Sequence, residues 1–402
     1  MALMPVDEAL SLVLDGVEPL PPELIAVATA HGRVLAADIA ARRTQPPSDM
    51  SAMDGYAVRA ADVAQAPARL RLVGESAAGR VLETPVGPGE AARILTGGVM
   101  PPGADTVVIQ ENARRDGDFV VIEQGERPGR HIRRAGLDFA EGDVRLACGH
   151  RLTVRDMALA AAMNHAVLPV YRRPRVAILS TGDELVLPGA APGPGQIVSS
   201  NGAALAAMAR AEGAQALDLG IVPDRLDETV AAIRRAREWG ADLLVTTGGA
   251  SVGDYDLVQD ALAAEGMALS FWKVALRPGK PLMHGRLGAM RVLGLPGNPV
   301  SSYVCGLLFM TPLLRALGGR EPAIETESAV LGRDLPANDE RQDYMRSQLH
   351  WRPDGAWVAT PFDVQDSSMM SALAASDCLV VREPHAPAIK AGHPCTIIRL
   401  PL

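Results

Sequence analysis

The sequence predicts a multidomain α/β protein. It has a central α/β domain on a parallel sheet, a β-rich insert domain, a helical N-terminal segment and a small C-terminal β domain. Three observations carry this expectation. Apolar runs alternate with helical patterns between residues 169 and 325, as βαβ units require. Residues 46–145 hold short β-like runs separated by Gly- and Pro-rich turns, the texture of a small β domain. Beyond residue 325 alternating strands follow one another with only turns between.

Each element has its own signal. Residues 1–45, grouped with 146–168, form the expected N-terminal helical and linking domain. A helical pattern opens it, and the extended GRVLAADIAARRTQPP follows, stopped by two prolines. TVRDMALAAAMNHA reads as a helix returning toward that first segment. In the insert, 46–145, ADTVVIQE and DFVVIEQG read as strands. The α/β domain, 169–325, runs through strand RVAILSTGDEL, helix NGAALAAMARAEGA, strand AQALDLGIVPD, helix LDETVAAIRRAREWG and strand ADLLVTTGG. MRVLGLPGN then leads into the apolar PVSSYVCGLLFMTPLLRALGG. GAWVATPF, DCLVVREP and PCTIIRLPL are the expected strands of the last domain, 326–402.

Composition excludes several classes. The 402 residues carry a net charge of −8 and only 3% aromatics, so the chain lacks the cationic field and stacking rings of a nucleic-acid surface. General attraction to anionic lipid is disfavoured for the same reason. No basic n-region opens the chain, and its longest apolar stretch is short for a membrane span and contains Pro312. Cys148, Cys305, Cys378 and Cys395 lie far apart, which argues against a disulfide framework or thiolate zinc site. A cytoplasmic enzyme is expected, with neither nucleic acid nor membrane as partner. Any anion site must rest on local positive charge.

In an open parallel sheet, ligands sit beyond the carboxyl ends of the strands. Four loops have that place: STGDE with Ser180, Thr181, Gly182 and Glu184; VPDR with Asp224; TTGGASVGDYD with Gly248, Gly249, Ser251 and Asp256; and LPGNPVSS with Pro296, Gly297, Asn298 and Ser301. Pro299 suits the first position of a helix, Asn298 can cap it, and a helix start offers N–H groups to an oxyanion; an ordinary helix start is the alternative. Asp183, Glu184, Asp224, Asp254 and Asp256 are hard oxygen donors suited to Mg2+ beside phosphate, although each alone also reads as a cap or turn residue. Lys273, Arg277 and Lys280 in FWKVALRPGKP are the expected local cations, with a solvated basic loop as the alternative. In the insert, a DG turn explains Asp54 but not the whole of SAMDGYA.

Seven stretches, in order, resemble the molybdopterin molybdenumtransferase family, which includes the C-terminal domain of gephyrin: SAMDGYAV, TGGVMPPGADTVV, RRAGLDFAEGD, STGDEL, TTGGASVGDYD, RPGKP and GLPGNPVSS. The resemblance spans nearly the whole chain. It implies insertion of molybdate into the dithiolene of adenylylated molybdopterin, with release of AMP and assistance from Mg2+. It also implies four subdomains and an elongated homodimer whose active site lies between the α/β domain of one subunit and the insert of the other. Carried over by motif, the site residues are Asp54, Thr96, Asp138, Glu184, Asp224, Asp256, Lys273, Lys280, and Arg341 or Arg346; Glu184 and Asp256 are the metal ligands. Handover contacts with the adenylyltransferase and with acceptor molybdoenzymes are implied too. Arg277 stands where many members have lysine, which exchanges a compact ammonium for a fork. A gephyrin-like binding module and a related molybdopterin adenylyltransferase are the competing readings. The intact acidic loops oppose the first, and the insert and terminal β domain oppose the second.

Overall fold

The computed structural model describes residues 3–248, 257–353 and 355–400. Four parallel strands form the middle of the α/β domain, in the order Gln215–Val222, Arg175–Thr181, Leu243–Thr247 and Met290–Leu295. Leu243–Thr247 and Met290–Leu295 are buried along their whole length, as parallel strands covered on both faces must be. The sheet is mixed rather than wholly parallel, because Met283–Leu287 and Ala268–Trp272 add two antiparallel strands. Those two are illegible as apolar runs: MHGRL carries His, Gly and Arg, and ALSFW leads directly into the basic segment.

One face of the sheet is covered by helices Val6–Leu14 and Asn201–Ala211 and by the helical run Pro299–Leu317. Helices Leu226–Glu238 and Leu257–Ala264 cover the other. Val6, Ala9 and Val13 therefore belong to the α/β core, away from the helix of 146–168. Pro299–Leu317 is long and apolar enough to cross a membrane, but 78% of it is buried inside the fold, which makes it a core helix. It accommodates Pro312 through the π-turn Gly306–Met310 just before it, one of the few ways a helix tolerates a missing N–H.

Strand Pro22–Ala26 pairs antiparallel with Val167–Tyr171. Beside them packs helix Val154–Ala162, started by a reciprocal capping box between Thr153 and Asp156. The insert is a six-stranded sheet centred on Gly55–Val58, Glu90–Ile94 and Ala68–Ser76. In the last domain, strands Glu327–Leu331, Gln342–Trp351, Trp357–Pro361, Cys378–Arg382 and Pro394–Arg399 close into a barrel, because Gln342–Trp351 pairs with both Trp357–Pro361 and Cys378–Arg382. A short strand of the α/β domain, Leu276–Arg277, joins that barrel alongside Gln342 and Asp343.

Candidate active site

Strand register brings the predicted loops to one edge. Thr181 lies opposite Val222, Ser180 opposite Thr247, and Thr247 opposite Leu295. The Thr247 and Ser180 hydroxyls are hydrogen-bonded at 3.2 Å, so these strand ends are tied side chain to side chain. Beyond them lies a cavity of about 650 Å³ whose wall includes Thr181, Glu184, Gly248, Pro296, Gly297, Asn298 and Ser301. Ser180 and Gly182 sit at its edge by chain neighbourhood. Gly249, Ser251 and Asp256, with Asp254, lie outside the described residues.

Two glycines with positive φ bring backbone close to the cavity wall, and at Gly248 the approach is to backbone and admits no side chain. Gly248 has φ +90°, and a Cβ there would stand 2.6 Å from the Thr181 carbonyl oxygen. Gly182 has φ +147°, and a Cβ would meet the Glu184 carboxylate at 2.3 Å. The Glu184 carboxylate thus folds back over bare backbone at the cavity wall. The Thr181 hydroxyl is buried there with no hydrogen-bond partner among the described residues, which leaves a polar group unspent.

Next to Glu184, the Asp224 N–H donates to the Asp183 carboxylate at 3.1 Å. Burial, and then the charges of Asp183 and Glu184, push the Asp224 carboxyl above the usual range. This is a repulsive carboxylate group that a cation would relieve. Among the described residues, no three His, Cys, Asp or Glu side chains converge as a ready-made ligand set.

The start of helix Pro299–Cys305 offers less than the sequence suggests. Proline has no N–H, and the Val300 N–H is spent on the Ser367 carbonyl at 3.1 Å. The Ser301 N–H remains without a partner among the described residues. Nor does Asn298 cap with its side chain; its Nδ2 donates to Ser367 Oγ at 2.9 Å, which ties the helix start to the barrel loop.

The predicted cations separate. Lys273 adopts φ +77°, with Nζ 4.1 Å from the Trp272 ring centroid, and Lys280 is exposed beside the cavity-lining Pro281. Neither has an ion pair with a described residue. Arg277, expected as an anion ligand, is committed to the barrel instead. Nε and Nη2 grip the Asp343 carboxylate, Nη1 donates to Asp339 at 2.9 Å and Nη2 to Asn338 at 2.9 Å. The fork fits the Asp343 carboxylate of the neighbouring strand and that of Asp339 just before it, so its charge is already neutralised. Arg341 is likewise bound to Asp339 at 2.8 Å. Arg346 is 0% exposed inside the barrel and does not line the cavity.

Of the insert residues, Asp54 and Thr96 meet and Asp138 stands apart from them in its contacts. Asp54 accepts from the backbone N–H and the hydroxyl of Thr96, both at 2.7 Å; these two bonds hold its carboxyl below the usual range. The Asp138 N–H bonds the Gln45 carbonyl at 3.0 Å. None of the three lines the cavity of its own chain.

Several cavity residues were not foreseen. Ser199, Ser200 and Asn201 open helix Asn201–Ala211, and Asn201 Nδ2 donates to the Gly297 carbonyl at 2.8 Å. A Ser-Ser-Asn run before a helix is a cap signature that does mark this strand-to-helix loop. Ile197 and Val198, half exposed on a small flap paired to Leu185–Val186, supply an apolar side. Ser368 and Met370 come from the barrel, and no local pattern in the sequence announces them.

Comparison with known proteins follows the same division. The chain matches the family models for the MoeA N-terminal region (domain I and II) over residues 4–164, a probable molybdopterin binding domain over 177–316, and the MoeA C-terminal region (domain IV) over 328–400. The molybdopterin molybdenumtransferase of Nostoc sp. is 40% identical over 82% of this chain and 77% of its own. That of Haemophilus influenzae is 34% identical over 98% of both. A crystal structure of the molybdopterin biosynthesis MoeA protein from Pyrococcus horikoshii covers 99% of this chain and 100% of its own, with a TM-score of 0.81 at 28% identity. From loops to barrel, then, the chain belongs to the molybdopterin molybdenumtransferase family.

Proposed function

We propose that this molybdopterin molybdenumtransferase of molybdenum cofactor biosynthesis inserts molybdate into the dithiolene of adenylylated molybdopterin, with release of AMP and assistance from Mg2+. The observation that carries the reading is the cavity itself. Loop hydroxyls and a helix start, suited to phosphate and oxyanion groups, share its wall with the Glu184 carboxylate. An acidic wall beside an anionic guest calls for a cation. Mg2+ typically takes only one or two carboxylates and keeps water and phosphate oxygens otherwise, and Glu184 with its neighbours Asp183 and Asp224 suits that mode. Glu184 and Asp256 would hold the ion, which would polarise the phosphoanhydride as a Lewis acid.

The remaining roles fall to the chain's own groups. The Thr181 hydroxyl and the Ser301 N–H orient substrate oxygens, and Lys273 and Lys280 attract molybdate. The substrate's sulfurs capture the metal, so thiolates are not needed; Cys305 and Cys378 are buried and their thiols pushed up, Cys378 to about 12. A homodimer would complete the cleft, with Asp54, Thr96 and Asp138 supplied by the insert of the opposite protomer. The setting is the cytoplasm, with handover from the adenylyltransferase and to acceptor molybdoenzymes.

The test is molybdate-dependent AMP release from adenylylated molybdopterin. Glu184→Ala is expected to slow it by about 100-fold or more with folding intact, and Lys273→Ala to raise the molybdate concentration needed for half-maximal rate. Turnover by Glu184→Ala at the wild-type rate would remove Glu184 from the metal site; AMP release indifferent to molybdate would end the reading.

A further inference from the structure

Arg346 is the largest fully buried side chain among the described residues. Its guanidinium is spent on a barrel segment that reaches the cavity. The Arg346 N–H and Nε both donate to Gln365 Oε1, at 3.0 and 3.1 Å, and Nη1 donates to the Asp366 carbonyl at 2.6 Å. In return, Gln365 Nε2 and the Phe362 N–H donate to the Arg346 carbonyl, each at 3.0 Å. The next residues then meet the site. Ser367 receives Asn298 Nδ2 on its hydroxyl and the Val300 N–H on its carbonyl, while Ser368 and Met370 line the cavity.

The energetics point the same way. Among the described residues no carboxylate is bonded to this buried guanidinium, and Nη2 has no hydrogen-bond partner. Burying a charge so incompletely satisfied is costly. An apolar side chain of similar length would avoid that cost, but it would take from Gln365 Oε1 its Nε donor and from the Asp366 carbonyl its Nη1 donor, and so loosen the segment's tie to the barrel strand.

We propose that Arg346 is a positioning residue for the active site. From inside the barrel it sets the segment 362–370 against the start of helix Pro299–Cys305, and so fixes the barrel-side wall of the cavity. Only the kinetic part of its test rests on the molybdenumtransferase reading.

Hydrogen exchange and steady-state kinetics would be compared for wild type, Arg346→Met, Arg346→Lys and Gln365→Ala. Amides of 362–370 and of Val300 are expected to exchange about tenfold faster in Arg346→Met and Gln365→Ala. KM for adenylylated molybdopterin should rise about tenfold while kcat stays within about threefold, as for lost binding geometry rather than lost chemistry. Arg346→Lys should fall between, since one ammonium can serve the Asp366 carbonyl but cannot also reproduce the Nε bond to Gln365. Wild-type exchange over 362–370 in both clasp variants, or a loss confined to kcat, would overturn the proposal. Faster exchange throughout Arg346→Met would signal general unfolding; Gln365→Ala, which keeps the charge in place, then decides. If wild type itself releases no AMP, the reading of the cavity fails, and exchange alone judges the clasp.

Discussion

His284 lies fully buried on the sheet, its ring 5.7 Å from that of Phe271 and both nitrogens without a partner among the described residues. Burial, then the nearby Arg291 and Arg286 charges, lower its pKa to about 4. The folded protein therefore keeps this ring neutral while the unfolded chain gains a proton near pH 6.5. Stability is full above that value and falls as pH drops toward 4, by up to about 3 kcal/mol. His284→Leu should flatten the decline in Tm between pH 7 and pH 5; an unchanged slope would assign the acid sensitivity elsewhere. Other single residues were legible from sequence only when their neighbours in the chain were also their neighbours in space. Glu184 was, because it follows a strand end directly. The trio Lys273, Arg277 and Lys280 was not, because the chain reverses between them, with Lys273 N–H bonded to the Leu282 carbonyl, and turns Arg277 toward the barrel.

The segment 273–282 ties the α/β domain to the barrel. Leu276–Arg277 pairs with Gln342 and Asp343 through the backbone, and the Arg277 fork adds bonds to Asp339 and Asp343. Arg277→Ala should weaken that junction by about 1–2 kcal/mol, a value reduced by the partial exposure of the group. Trp351 and Trp357 report on the barrel and Trp239 on the α/β domain, so urea transitions followed in single-tryptophan variants should coincide in wild type and separate in Arg277→Ala. Coincident transitions in the variant would show that the fork is dispensable. At this scale the parallel strands and their helices were legible because apolar runs alternate with helical patterns along the chain. The two antiparallel strands were not, since Met283–Leu287 is broken by His284, Gly285 and Arg286 and Ala268–Trp272 leads directly into the basic segment.

For the whole molecule, four regions differing in texture were visible in the sequence, yet the cavity is assembled from segments as distant as Thr181 and Ser368. Pattern reads local periodicity; it cannot read which barrel loop docks on which helix. If the proposed homodimer places the insert of one protomer over the cavity of the other, Asp54→Asn and Glu184→Ala chains should complement each other. Mixed dimers formed from two inactive variants should recover about a quarter of wild-type AMP release, because half the dimers would hold one intact site of two. No recovery, despite mixed dimers seen by mass, would place both residues in one subunit's site.

The shared ladder at Leu276–Arg277 also limits how this protein can be recombined. A barrel exchanged with that of a relative at a cut near residue 326 would leave behind the strand that pairs with its Gln342 and Asp343. Grafts that carry residues 273–282 along with the barrel should express and fold, whereas those made at the linker should not.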